Sequence, residues 1–158
     1  MEDTPEASTA LEPTVCEDRF MPEPDQHLSS TLASIMPFME HIGARALSVG
    51  PDAVELLLEW GPQRCTSGGM LHGGALMTLA DGAAAWCAFL NLPHGATGTT
   101  TIESKTNFLR GVSDGHVVAR STPVHKGRRT IVMDTEVRDA DGRPVARVTQ
   151  TQAVLTSD

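Results

Sequence analysis

From Ala75 to Leu90 the chain has no proline and, Thr78 apart, no β-branched residue. Ala, Leu and Met dominate this run, and the glycines Gly68, Gly69, Gly73 and Gly74 lead into it. Such a composition predicts a long helix. Leu76, Leu79, Ala83, Trp86 and Leu90 recur at helical spacing and form one apolar face. Asp81 falls on another face, with Thr78, Gly82 and Ala85. A carboxylate near the middle of the run, together with the glycine content, argues against a membrane span. Asp81 then has two readings, a buried structural carboxylate that caps a neighbouring loop or a group with chemistry to perform.

The start of this helix sharpens the choice. The N–H groups of Gly73 and Gly74 would have no partner within the helix and would point at an incoming oxygen. Such donors suit an oxyanion hole. His72 taken alone reads as a helix-start residue. The glycines do not form a phosphate loop, since neither Gly-x-Gly-x-x-Gly nor Gly-Lys-Ser/Thr occurs. Asp81 follows Gly73 by eight residues, a little over two turns. One helix presents both to the same small substrate with difficulty, whereas two antiparallel copies side by side can do so. This spacing predicts a dimer with its sites between subunits.

The rest of the 158-residue chain fits one domain around this helix. The first 25 residues carry Glu2, Asp3, Glu6, Glu12, Glu17, Asp18, Glu23 and Asp25 against Arg19, and also four prolines. They read as a flexible acidic tail, with the domain over 26–158. The tail lacks the basic and apolar regions of a secretory signal. Three widely spaced cysteines, Cys16, Cys65 and Cys87, form no metal pattern and suggest a reducing compartment, the cytoplasm by default. A short helix is expected from Gln26 to Phe38, ending near Pro37. A strand pair follows, 42–49 and 53–60, split by Gly50-Pro51-Asp52. Four strands come after the long helix, at 97–109, 115–125, 130–138 and 144–155, with turn-like separators that favour antiparallel neighbours. The order predicts an α+β fold, an antiparallel sheet curled around the long helix.

Several segments together resemble the hotdog-fold acyl-CoA thioesterases, in particular the group related to phenylacetic-acid-pathway thioesterases. They are Gly69-Met70-Leu71-His72-Gly73-Gly74, Leu79-Ala80-Asp81, Phe108-Leu109-Arg110, His125-Lys126-Gly127-Arg128-Arg129, Arg138-Asp139-Ala140-Asp141-Gly142 and the closing strand with Thr151. The resemblance covers roughly residues 40–155 and implies a sheet wrapped around a central helix. It further implies subunits paired so that their sheets join, and homodimers that often form homotetramers. It would make Asp81 the catalytic carboxylate, as nucleophile or as general base on water. The Gly73 N–H would be the oxyanion donor from the other subunit, with His72 beside it and Thr101 supplying a hydroxyl that orients water. Thr66 stands six residues before His72, where the family commonly has Asn or Gln, and Gln63 lies nearby.

The chemistry implied needs no metal and no resident cofactor, since coenzyme A belongs to the acyl-CoA substrate. The stretch from Lys105 to Arg129 is locally basic in an acidic protein. It reads either as solvated strand ends or, through Arg110, Lys126, Gly127, Arg128 and Arg129, as a landing site for the coenzyme A phosphates. Nucleic-acid binding is not expected of a chain with net charge −8 and few aromatics. Met36, Phe38, Met39, Met77, Trp86 and Phe89 are candidates to line an acyl or aryl pocket. The alternatives to hydrolysis are a non-catalytic acyl-CoA-binding module, to which Thr66 lends support, and a hydratase of the same fold.

Overall fold

The computed structural model describes residues 21–157. Residues 1–20, most of the predicted acidic tail, lie outside the described residues. Of the remainder, Asp25 caps the first helix: its side chain accepts from the Leu28 N–H at 2.8 Å, and its own N–H donates to the Ala46 carbonyl.

The expected first helix is two helices, α1 (Gln26–Ile35) and α2 (Pro37–His41). Proline at the first position of α2 has no N–H to continue α1, and it drives Met36 out of the helical region to φ −138, ψ 76. Strands β1 (Arg45–Val49) and β2 (Val54–Glu59) pair antiparallel around the Gly50-Pro51-Asp52 turn. A loop with one 3₁₀ turn leads to α3 (Gly73–Leu90), and Trp60 pins that loop by donating Nε1–H to the Gly69 carbonyl. The last four strands are β3 (Ala96–Phe108), β4 (His116–Lys126), β5 (Thr130–Asp139) and β6 (Pro144–Thr156).

All six strands form one antiparallel sheet in the order β1-β2-β4-β5-β6-β3. The core is the sheet's inner face against α3. Val54, Leu56 and Leu58 of β2 meet Ile131, Met133 and Val137 of β5 and Leu76, Leu79, Ala83 and Trp86 of the helix, all buried. Leu90, expected on that apolar face, ends the helix exposed. Gly82 lets α2 in: a Cβ there would sit 2.5 Å from Met39 Cε, so the Met39 side chain uses the room. By length and apolarity α3 passes for a membrane span, but half of it is buried in this core.

One pairing differs from expectation. β3 does not pair with β4, its neighbour in sequence, but crosses to the far edge and pairs with β6 over most of its length. The separator at 110–114 is a crossing strap rather than a hairpin. Val112 anchors it: the side chain is buried and the carbonyl accepts from the Leu71 N–H, just before α3.

The β5–β6 turn carries a separate stabilising device. Asp139 Oδ1 accepts from the N–H groups of Asp141 and Arg143, and Oδ2 from Arg143 Nε at 2.9 Å. Burial pushes this carboxyl up, but the Arg143 and Asp141 donors outweigh it and hold it below the usual carboxylate range. Asp139→Asn should cost about 1–3 kcal/mol at pH 7. A lowered folded pKa stabilises the fold above the unfolded value and loses that contribution as pH falls through the folded one. The gap between wild type and Asp139→Asn in urea unfolding should therefore narrow from pH 7 toward about pH 3.

Candidate active site

The start of α3 is built by His72. It is the N-cap, at φ −67, ψ 135, and its Nδ1 accepts from the Gly74 N–H at 2.9 Å. The Gly74 N–H is therefore occupied, contrary to the expectation that both glycine donors are open. Its own neighbour caps it, as local side chains do at helix starts. The Ala75 and Leu76 N–H groups go to the His72 carbonyl. The Gly73 N–H remains without a partner among the described residues. Gly73 lines a cavity of about 460 Å3 with Thr66, Phe108 and Arg110. The Phe108 ring lies against Gly73 so closely that a Cβ would come 2.9 Å from its Cζ. Thr66 is exposed.

Asp81 lies two turns further along α3, half-exposed. Its Oδ1 accepts from Thr101 Oγ1 at 3.0 Å and from Gln150 Nε2 at 2.7 Å. Among the described residues nothing donates to Oδ2. The carboxylate opens on a cavity of about 280 Å3 lined by Phe38, Met77, Thr78 and Ser104. A bulge in β3 shapes this wall: the register shifts between Thr101 and Glu103. Thr99 and Thr101 before it, and Ser104 after it, all hydrogen-bond to inward side chains of β6.

Asp81 and Gly73 do not share a cavity within one chain; the two cavities have no lining residue in common. A third cavity, about 360 Å3, lies one turn beyond Asp81, between Ile35, Met36, Ala85, Trp86, Phe89 and Thr99. Of the candidate pocket residues, Met36, Trp86 and Phe89 line this cavity, and Phe38 and Met77 line that of Asp81. Met39 is buried in the core. Gln63 lines a fourth cavity with Phe38, His41, Arg64, His72 and Thr78. The basic residues are split. Arg110 follows the C-terminal end of β3. Lys126 ends β4, and Gly127, Arg128 and Arg129 form the β4–β5 turn, near the N-terminal end of β3, where the Arg129 carbonyl accepts from the Val154 N–H.

Gln150 and Gln152 are the site residues that the sequence reading passed over. Both side chains are buried, at 0% and 1% exposure, although they sit on a strand. A signal was available: they share the inward parity of Ala146, Val148 and Val154. An amide on a core-facing position needs a polar partner.

This fold and this helix with its glycine start define a class. The chain belongs to the thioesterase superfamily, whose family model matches residues 68–146, and its fold is the hotdog fold. It is 30% identical over 128 residues to Rv1847 of Mycobacterium tuberculosis, a match covering 80% of this chain and 90% of that protein. Among solved structures, a thioesterase family protein from Silicibacter pomeroyi superposes with a TM-score of 0.74 at 28% identity, covering 83% of this chain and 98% of that one. A mutant of the phenylacetic acid degradation protein PaaI from Thermus thermophilus gives 0.69 at 30% identity, covering 75% and 99%. The chemistry of the class is thioester hydrolysis.

Proposed function

We propose that the chain hydrolyses an acyl-CoA, adding water across the thioester to release a free acid and the coenzyme A thiol. The observation that carries this reading is the division of labour on α3. An unpartnered Gly73 N–H faces one cavity, and Asp81, held by one oxygen only, faces another. The N–H suits the oxygen that becomes negative in the tetrahedral intermediate. The free Oδ2 suits either attack on the carbonyl or removal of a proton from water.

The two halves meet between protomers in this reading. β3 is a 13-residue edge strand whose outer edge has no partner among the described residues, and Ile102 stands exposed on it. A long open edge of that kind invites a second strand. On β3, Thr101 lies beside Asp81 and Phe108 lies against Gly73. Antiparallel pairing of two β3 edges, about a two-fold axis between those residues, sets Asp81 of one protomer toward Gly73 of its partner. The same axis brings Arg110 of one protomer to the same end of the joined sheet as Lys126–Arg129 of the other, where they would hold the coenzyme A phosphates. Further association to a homotetramer would use other surfaces. The acyl group would enter the apolar cavity beside Ala85 and Trp86. Cys65 and Cys87 carry free thiols, which suits the cytoplasm.

The test is free-thiol release from short, long and aromatic acyl-CoAs, with Asp81→Asn as control. Release that vanishes in the variant supports the enzyme and names its acyl class. Tight binding without release from any acyl-CoA would instead favour the binding module, with Thr66 in the Asn position as its cause. Replacing Lys126, Arg128 and Arg129 together by Ala should raise KM about tenfold at low salt, with a smaller effect at high salt. An unchanged KM would remove the basic turn from the site.

A further inference from the structure

We infer that Gln150 and Gln152 are a pair of buried positioning residues for Asp81, Gln150 by a direct hydrogen bond and Gln152 through the Thr101 hydroxyl. The inference rests on Asp81 being the catalytic carboxylate.

A threonine hydroxyl has one proton to donate and two lone pairs to accept with. On Thr101 the proton and one lone pair are in use. Gln152 Nε2 donates to Oγ1 at 3.0 Å. The proton goes to Asp81 Oδ1 at 3.0 Å. With one lone pair held by the Gln152 amide, the hydroxyl hydrogen is biased toward Asp81.

The two amides are anchored in turn. A carboxylate only accepts, so Gln150 must present its NH2 group to Asp81, at 2.7 Å, with Nε2 3.2 Å from Thr101 Oγ1. Its carbonyl faces Ser104 Oγ at 3.5 Å. The Gln152 carbonyl lies 2.9 Å from Thr99 Oγ1, whose one proton it shares with the Ala153 carbonyl at 3.0 Å. Both glutamines come from β6, a strand inside the sheet with partners on both sides, so their backbones do not drift. The β3 bulge puts Thr99, Thr101 and Ser104 within their reach. The result is a carboxylate with Oδ1 clamped by two donors and Oδ2 turned to the cavity.

Gln152 touches Thr101 but has no hydrogen bond to Asp81, which makes the inference testable by non-additivity. The variants Gln150→Met, Gln152→Met, Thr101→Val, Thr101→Ser and Thr101→Val/Gln152→Met are compared with Asp81→Asn by steady-state kinetics on a short acyl-CoA and by melting temperature. Misplaced by a fraction of an ångström, the carboxylate should lose about 10–100-fold in kcat in Gln150→Met and Thr101→Val, with KM within about threefold. Gln152→Met should lose about 5–10-fold, and the double variant should match Thr101→Val alone, because Gln152 acts only through that hydroxyl. Thr101→Ser, which keeps the hydroxyl, should recover to within about threefold of wild type. Should Gln152→Met fail to fold, Thr99→Val on the edge strand unanchors the same amide and should lower kcat about threefold or more with little change in KM.

A Gln152→Met enzyme as fast as wild type or faster, while Asp81→Asn is inactive, would overturn the inference and leave the catalytic reading intact. Losses that multiply in the double variant, or an unchanged kcat in Thr99→Val, would overturn it as well. An active Asp81→Asn enzyme would instead overturn the reading beneath it.

Discussion

Asp81→Asn should lower kcat for acyl-CoA hydrolysis by about 10²–10⁴-fold while leaving the melting temperature near that of wild type. The residue is half-exposed, at the edge of the core rather than inside it, so the amide need not be forced into an apolar site. An Asn side chain has nearly the same shape and can still accept from Gln150 and Thr101 through its carbonyl. What it lacks is the second anionic oxygen, the one to which no described residue donates. The variant therefore separates the holding contacts from the chemistry. A kcat within about threefold of wild type would exclude Asp81 as base or nucleophile.

Gly73→Pro should lower kcat by about 10²–10³-fold, the usual loss of one oxyanion donor. Gly73→Ala, which keeps the N–H, should fall much less. Proline is tolerated at the first helical position, where its missing N–H breaks no helical bond. His72 already has the extended backbone that a residue before proline requires, φ −67 and ψ 135. Both substitutions add a Cβ that meets the Phe108 ring. Phe108 is 52% exposed and can swing outward, so this cost is shared by the pair. The difference between them reports the N–H. Equal rates for Pro and Ala would remove Gly73 from the oxyanion role.

The long helix was legible because its signal is local. A run free of proline, with one β-branched residue and glycines at its head, has few other conformations open to it. The alternation in β5, with Ile131, Met133, Thr135 and Val137 inward, was equally readable, and all four are buried. The position of β3 was not. Which strand an edge strand joins depends on how the 110–114 strap passes the end of α3, and the strap's anchor, buried Val112, carries no local mark of that role. The break at Met36 follows from Pro37 and was within reach of local rules. At the site, the glycine start and Asp81 stood out, but the occupancy of the Gly74 N–H turned on the rotamer of His72. The glutamines of β6 were available as a violation of inward apolar parity, a pattern that appears only once β6 is read against its own core face.

The most direct test of a site shared between protomers is complementation between two inactive variants. Asp81→Asn and Gly73→Pro are each inactive, or nearly so, as homo-oligomers. Co-expressed with different tags and purified through both, they form a mixed pair. One of its two sites then carries both substitutions, and the other carries neither. Across a random equal mixture this restores about a quarter of the wild-type sites, and in the doubly purified pair about half. Recovery of thiol release to that level is the result predicted. A mixed pair whose assembly is verified by mass and whose rate stays at the background of its parents would mean that Asp81 and Gly73 serve the same chain, contradicting the shared site.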